Sequence, residues 1–437
     1  MDPVSIGYLS ASLLLLLLAL GVPVAVAMGS IGLGGMLLGV GQNLTIAQLS
    51  SLPFTVVNNY DFAVLPMFVL MGVLAEASGI TQQLFYMSSL WLRRLRGGLY
   101  HAVVVGSAVF AAISGSTIVN AVVFTRIAYP EMMRYGYSKS LSLGCIAATG
   151  SFAAMIPPSI TMVIYAIMTD QSVGRLLIAG IIPGIVTAVI YLFGISIMMR
   201  IRPSLAPPLR EPVSQRERWR ATVDVWPVFV LIVLVMGGMY SGLFPASAAG
   251  AAGACGAFMF ALWKKKGLGR WLPPVLQDAA AVSCVIFVIL IGGLLLSRML
   301  VVVGVIDHVV TLVTSIASTP LRFMILACVL YLVLGCFLDT TSMMVVTLPF
   351  LFPVVVALKI DPIWFGIILV KLIEISVLTP PVGLNLFAVQ GAAGGQASFD
   401  NVVKGVMPFI VLEIGVLVLL VMVPELVTWL PDRMIGK

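Results

Sequence analysis

The sequence predicts an all-α polytopic membrane protein whose halves form an inverted structural repeat, each with a re-entrant hairpin and a proline-broken helix. Three observations predict it. First, 61% of the 437 residues are hydrophobic and 9% charged, with a mean hydropathy of +1.14. A soluble domain cannot hide that much apolar surface. Second, runs such as 13–20 and 410–423 are continuously apolar and lack the alternation of membrane strands. Third, Pro157-Pro158 is matched 223 residues later by Pro380-Pro381, both inside apolar runs.

The remaining composition excludes several classes. A formal charge of +7 would suggest nucleic acid in a soluble protein, but here the Arg and Lys gather in a few loops, which is topology. The five cysteines stand singly in apolar segments and read as small core residues. Met1-Asp2-Pro3 puts no basic flank before the first Leu run, so a retained helix is expected rather than a cleaved signal. No His/Cys cluster suggests zinc, and no GxxxxGK[ST] loop suggests ATP.

In order, 5–20 and 24–40 read as spans, 45–59 as a surface segment and 62–77 as a third span. Segment 82–96, with Trp91, Arg93, Arg94 and Arg96, reads as an interfacial helix on the basic side. Two short apolar stretches, 99–110 and 118–128, flank Ser114-Gly115-Ser116-Thr117, which predicts a hairpin over 98–137. A polar tip at membrane depth is tolerated only where it lines a cavity. The broken helix 138–168 and a span at 176–199 close the first repeat, 1–200. Residues 201–220 read as a solvated cytoplasmic linker; 200–220 hold six arginines, four prolines and two glutamates.

The second repeat, 221–437, runs in step: spans at 225–240, 246–263 and 282–297, with Lys264-Lys265-Lys266 between, then an interfacial 300–318. A hairpin at 322–358 turns at Asp339-Thr340-Thr341-Ser342, a broken helix covers 362–392, and 406–426 is the last helix. Pro130 and Pro353 share the offset of 223, while Gly79/Gly304 and Ser114/Asp339 lie 225 apart. With the basic loops inside, the N-terminus falls outside and the hairpins enter from opposite faces.

A helix broken at mid-membrane frees backbone groups that ions and substrates use in secondary carriers. Hydroxyls, amides, carbonyls and one carboxylate are oxygen ligands suited to Na⁺. Asp339 is the leading ionisable candidate; its alternative is an ion pair with Arg126 or Arg298. Lys371 and Glu374, three apart on one helix face, are expected to neutralise each other, and Glu413 has no partner apparent in the sequence. An intramembrane serine protease at Ser114 or Ser116 would have only His101 and His308 as bases, and would leave the repeat unexplained.

Ile113-Ser114-Gly115-Ser116, Gly136-Tyr137, Ile156-Pro157-Pro158-Ser159 and Thr379-Pro380-Pro381-Val382-Gly383 together resemble the large membrane subunit of tripartite ATP-independent periplasmic (TRAP) transporters. The resemblance covers almost the whole chain in order. It implies Na⁺-driven import of small organic acids across a bacterial inner membrane by an elevator motion. The implied partners are a small four-helix membrane subunit, not fused at the N-terminal end, and a periplasmic substrate-binding protein. It also implies Na⁺ sites at Ser114, Gly115, Ser116 and Thr117 with Pro157 and Ser159, and at Asp339, Thr340 and Thr341 with Thr379, Pro380 and Gly383. Asn120, Ser342 and Asn385, beside those tips and breaks, are the candidates for substrate contact. The alternative is a stand-alone Na⁺- or H⁺-coupled carboxylate symporter needing no binding protein.

Overall fold

A computed structural model describes residues 2–208, 213–265, 267, 269–335, 337–381, 383–395 and 397–434. Residues 209–212 of the linker, Lys266, Cys336 and Val382 lie outside the described residues. All regular structure among the described residues is helical, as continuous apolar runs require in lipid, where each helix satisfies its own backbone. Among the described residues seven helices are long and apolar enough to cross a membrane, or up to nine if each of two bent pairs counts as one span.

The helices form two bundles where small residues let backbones approach. In the first, Val24–Val40 crosses Leu272–Val303. A Cβ on Gly32 would sit 2.7 Å from the Leu295 carbonyl carbon, and one on Gly292 would strike the Ala25 carbonyl oxygen. Val64–Ala77 packs along Ala246–Lys265 in the same bundle. In the second, Lys139–Gly150 lies against Phe399–Met422 with Gly144 and Gly405 backbone to backbone. A Cβ on Gly405 would collide with the Ser140 carbonyl.

Several expected boundaries are corrected. The span at 282–297 belongs to a 32-residue helix, Leu272–Val303, about 48 Å long. It stops at Gly304, whose φ of 80° suits glycine, and the surface helix is Val305–Ile316. That helix meets Pro320–Leu334 at 109°, so the chain turns sharply from surface to core. The span at 225–240 is found as Trp226–Tyr240, with a π-helical turn at Val233–Gly237, and a helix of the linker, Gln215–Asp224, meets its start at 41°.

The linker is not wholly solvated. Leu205 accepts from Ser138 N (2.9 Å) and from the Tyr100 hydroxyl (3.1 Å), tying it to the first hairpin. Gln215–Asp224 docks on Ile80–Leu92 through a Trp91–Trp219 edge contact at 5.8 Å and a Tyr86–Glu217 hydrogen bond of 2.9 Å. Arg216 and Arg220 face water, while Trp219 and the buried Arg218 serve packing.

Thr117–Arg134 and Thr340–Ala357 begin and end 223 residues apart, each 18 residues long with a capping side chain, Ser116 and Asp339 respectively. Ser116, rather than Ser114, therefore stands opposite Asp339. The sequence alignment at 225 was drawn to the Gly/Ser cluster and missed by two.

Candidate functional site

The first turn is built by glycine geometry and capping. Gly98–Ser114 ends at Gly115, φ 59°, and Ser116 Oγ then accepts from Val119 N at 3.5 Å to open the next helix. The two arms are clamped by Asn120, whose Oδ1 accepts from Ser107 Oγ (3.0 Å) and whose amide donates to Ser107 O (3.4 Å). The tip is wedged in place: Cβ atoms on Gly72 and Gly115 would lie 2.8 Å from Ser114 O and 3.0 Å from Pro158 O. It therefore meets the first break directly.

At that break Phe152–Met155 ends, a cis Pro157-Pro158 bond follows, and Ser159 caps Ile160–Met168. Ser159 Oγ donates to Ala154 O at 2.6 Å and accepts from Met162 N at 3.3 Å. The nine-residue Ile160–Met168 thus presents its N-terminal amides towards the tip. Ser114 Oγ is buried there without a hydrogen-bond partner, an orphaned oxygen that an ion or water would satisfy.

The second turn is capped by a carboxylate. Asp339 Oδ2 accepts from Thr341 N (3.0 Å) and Ser342 N (3.3 Å). Asp339 is half-buried, and among the described residues no ion pair joins it to Arg126 or Arg298. The expected choice between ion ligand and arginine partner omitted this role as a helix cap. Its second oxygen and the tip hydroxyls remain available. A Cβ on Gly335 would lie 2.7 Å from Ser376 O, seating this turn on the second broken helix.

There Pro362–Leu378 ends with Thr379 Oγ1 donating to Ile375 O at 2.7 Å, so the hydroxyl's lone pairs stay free. A cis Pro380-Pro381 bond and Gly383, at φ 60° and ψ 92°, carry the chain into Leu384–Ala392. Asn385 is buried just after the break, with neither its Oδ1 nor its Nδ2 partnered among the described residues. Two unmet polar atoms on one buried side chain are costly unless a ligand answers them.

A cavity of about 450 Å³ brings the two turns together. Gly115, Ser116 and Thr117 line one side, Asp339, Thr340 and Thr341 the other, with Ile160 and Thr161 beside them. Leu272–Val303 supplies an apolar wall from Ala281 to Ile289. Ser114, Asn120, Pro157, Ser159, Ser342, Thr379, Pro380, Gly383 and Asn385 do not line it; apart from Asn120, which locks the first hairpin, they lie at the tips and breaks around it.

Sequence reasoning missed a second, larger cavity of about 1020 Å³. Asn59, Asp61, Asp170, Gln171 and Ser172 line it, with Ser297 and Arg298 from the long helix. Its signal was present in the short polar runs Asn58-Asn59-Tyr60-Asp61 and Thr169-Asp170-Gln171-Ser172 at helix ends. The serine-protease reading fails on geometry. His101 is bound to Gly97 O and Ser196 Oγ, both at 3.0 Å, and lies 13 residues from Ser114, about 20 Å along the helix. His308 packs edge-on against Tyr8.

Lys371 and Glu374 do pair, at 2.8 Å, but not alone. Glu413 reaches Lys371 at 2.5 Å, and all three side chains are fully buried. The carboxylate that had no partner in the sequence finds one 42 residues upstream.

Broken helices whose capped turns face a shared internal cavity define a multi-pass membrane carrier. The chain belongs to the family described as "Tripartite ATP-independent periplasmic transporter, DctM component", whose profile matches residues 11–426, and it is the large membrane subunit. It is 30% identical to the C4-dicarboxylate TRAP transporter large permease protein DctM of Vibrio cholerae, over 96% of both chains. It is 31% identical to the protein of the same name from Pseudomonas aeruginosa, over 89% of this chain and 90% of that one. In fold it is similar to the crystal structure of the YdaH transporter of Alcanivorax borkumensis, with a TM-score of 0.63, 14% identity and coverage of 99% and 100%.

Proposed function

We propose that the chain imports a small organic acid across a bacterial inner membrane, driven by Na⁺, from a periplasmic binding protein and alongside a small four-helix membrane subunit. Its relatives named for C4-dicarboxylates support a carboxylate substrate. The observation that carries the reading is the meeting of the two turns around one cavity, with the unpartnered Ser114 hydroxyl beside it. Hydroxyls, carbonyls freed at the breaks and the spare Asp339 oxygen form an oxygen-only donor set for Na⁺ at each tip. The backbone amides at the start of Ile160–Met168 suit the substrate's negative charge. In this reading the two halves are inverted repeats, 1–200 and 221–437. The bundle centred on Gly144 and Gly405 carries both turns past the bundle centred on Gly32 and Gly292, as an elevator.

Co-reconstituted with its two partners, the chain is expected to accumulate substrate on an inward Na⁺ gradient without ATP. Uptake on a proton gradient with Na⁺ absent would refute the coupling. Uptake without the binding protein would favour a stand-alone symporter instead.

The inverted arrangement makes a topological prediction. In a background free of the five native cysteines, Ser214→Cys should react only with cytoplasmic thiol reagent and Ser5→Cys only with periplasmic reagent. Both positions are exposed. Labelling of both from one face would eliminate the inverted repeat.

A further inference from the structure

The buried charges around Lys371 have no part in the transport site described above. Three helices contribute them. Pro362–Leu378 brings Lys371 and Glu374, Val173–Ile201 brings Thr187 and Tyr191, and Phe399–Met422 brings Glu413. Glu413 and Tyr191 lie 222 residues apart, close to the offset between the halves, so the set lies where the two closing helices meet.

The hydrogens can be accounted for one by one. Lys371 has three donors. Two of them make hydrogen bonds, to Glu374 Oε2 (2.8 Å) and Thr187 Oγ1 (3.1 Å), and the ammonium also lies 2.5 Å from Glu413 Oε2, an ion-pair contact without hydrogen-bond geometry. Thr187 donates its own proton to Pro183 O at 2.8 Å, so it can only accept from the lysine. Tyr191 donates to Glu413 Oε1 at 2.5 Å. Both oxygens of Glu413 thus lie against a cation or a donor, Oε2 in ion-pair contact with the ammonium and Oε1 accepting from Tyr191. Glu374 differs: among the described residues its buried Oε1 has neither a hydrogen bond nor an ion pair, whereas Glu413 Oε2, though not hydrogen-bonded, touches the lysine. With both carboxylates ionised, the set would carry one uncompensated negative charge in the apolar interior, which the lack of water or a second cation opposes.

The other titratable groups on helices packed around Pro362–Leu378 do not supply the missing charge. Cys145 of Lys139–Gly150 is a thiol directed at Tyr100 O. Tyr165 of Ile160–Met168 donates to Pro362 O at 2.6 Å. Tyr331 of Pro320–Leu334 is bound to Thr347, and Asp432 is taken by Arg175 at 2.6 Å.

We propose that Lys371, Glu374 and Glu413 form a proton-binding site that holds one proton, on Glu374 Oε1. The proton is taken from hydronium of bulk water, whose O–H bond breaks to leave neutral water as an O–H bond forms at Oε1, and the buried set becomes one cation, one anion and one neutral acid. The site is separate from the turns and from any Na⁺ site, so it stands or falls independently of the coupling ion.

Infrared spectroscopy of the purified, lipid-reconstituted chain tests it. The wild type should show the C=O stretch of a protonated carboxylic acid, shifted when the protein carries ¹³C-glutamate. Among the described residues Glu374 and Glu413 are the only fully buried glutamates. Glu374→Gln, which mimics the neutral acid in shape and charge, should abolish that band and leave it intact in Glu413→Gln. The labelled wild-type measurement needs no variant to fold. Absence of a glutamate acid band, its persistence in Glu374→Gln, or its loss only in Glu413→Gln overturns the proposal.

Discussion

Lys371→Met is expected to be among the most destabilising single substitutions in this protein. It removes the cation shared by Glu374 and Glu413, both fully buried, and leaves Thr187 without its donor. Breaking a buried ion pair from one side costs about 3–5 kcal/mol, because the remaining charge has neither water nor counterion. Removing the charges together should recover most of the loss. Lys371→Met combined with Glu374→Gln and Glu413→Gln keeps the volumes close and leaves no charge in the set. Thermal unfolding of both variants in detergent gives the comparison. A single variant melting within about 2 °C of wild type would show that the set contributes little to stability.

Gly383→Leu should abolish transport while leaving insertion intact. At φ 60° and ψ 92° an L-residue is strained by about 1–2 kcal/mol. The new Cβ would also lie 3.1 Å from Val377 O and 2.9 Å from Leu386 side-chain carbons. The backbone at the second break must then move, and misplacing site groups by about 1 Å can cost about 100-fold in rate. Thr379→Val is subtler: it keeps the shape and removes one oxygen, along with the bond to Ile375 O. It should raise the Na⁺ concentration for half-maximal uptake by about tenfold, the equivalent of about 1.4 kcal/mol. Asp339→Asn separates capping from charge, since an amide oxygen still accepts from Thr341 N and Ser342 N. Initial uptake against Na⁺, normalised to inserted protein, reads all three. Wild-type Na⁺ curves for Thr379→Val and Asp339→Asn together would make the turns purely structural.

The parts legible in the sequence were those that leave a local mark. Prolines and glycines must stand where a membrane helix breaks, so Pro157-Pro158 and Pro380-Pro381 located both breaks. Ser116 and Asp339 announce helix starts by residue type, although only the structure fixes their register. What stayed hidden depends on packing between distant segments. Glu413 reads as an isolated charge until Lys371 and Tyr191 are brought to it. Asn120 reads as a ligand until Ser107 occupies its amide. The long helix Leu272–Val303 was cut short because Gln277, Asp278 and Arg298 lower the hydropathy. Its hydrogen bonding runs through them regardless, and Arg298 faces a cavity.

The contact between Gly144 and Gly405 has a consequence for how the protein is made. Lys139–Gly150 leaves the ribosome early, yet the backbone surface it needs belongs to Phe399–Met422, synthesised some 260 residues later. Until then the backbone at Ser140 and Gly144, which Gly405 covers in the finished protein, lacks that partner. The buried charges follow the same order, since Thr187 and Tyr191 are in the membrane long before Lys371 and Glu413 arrive. Phe399–Met422 completes the packing of Lys139–Gly150, so a chain truncated before residue 399 is expected to leave that seam open.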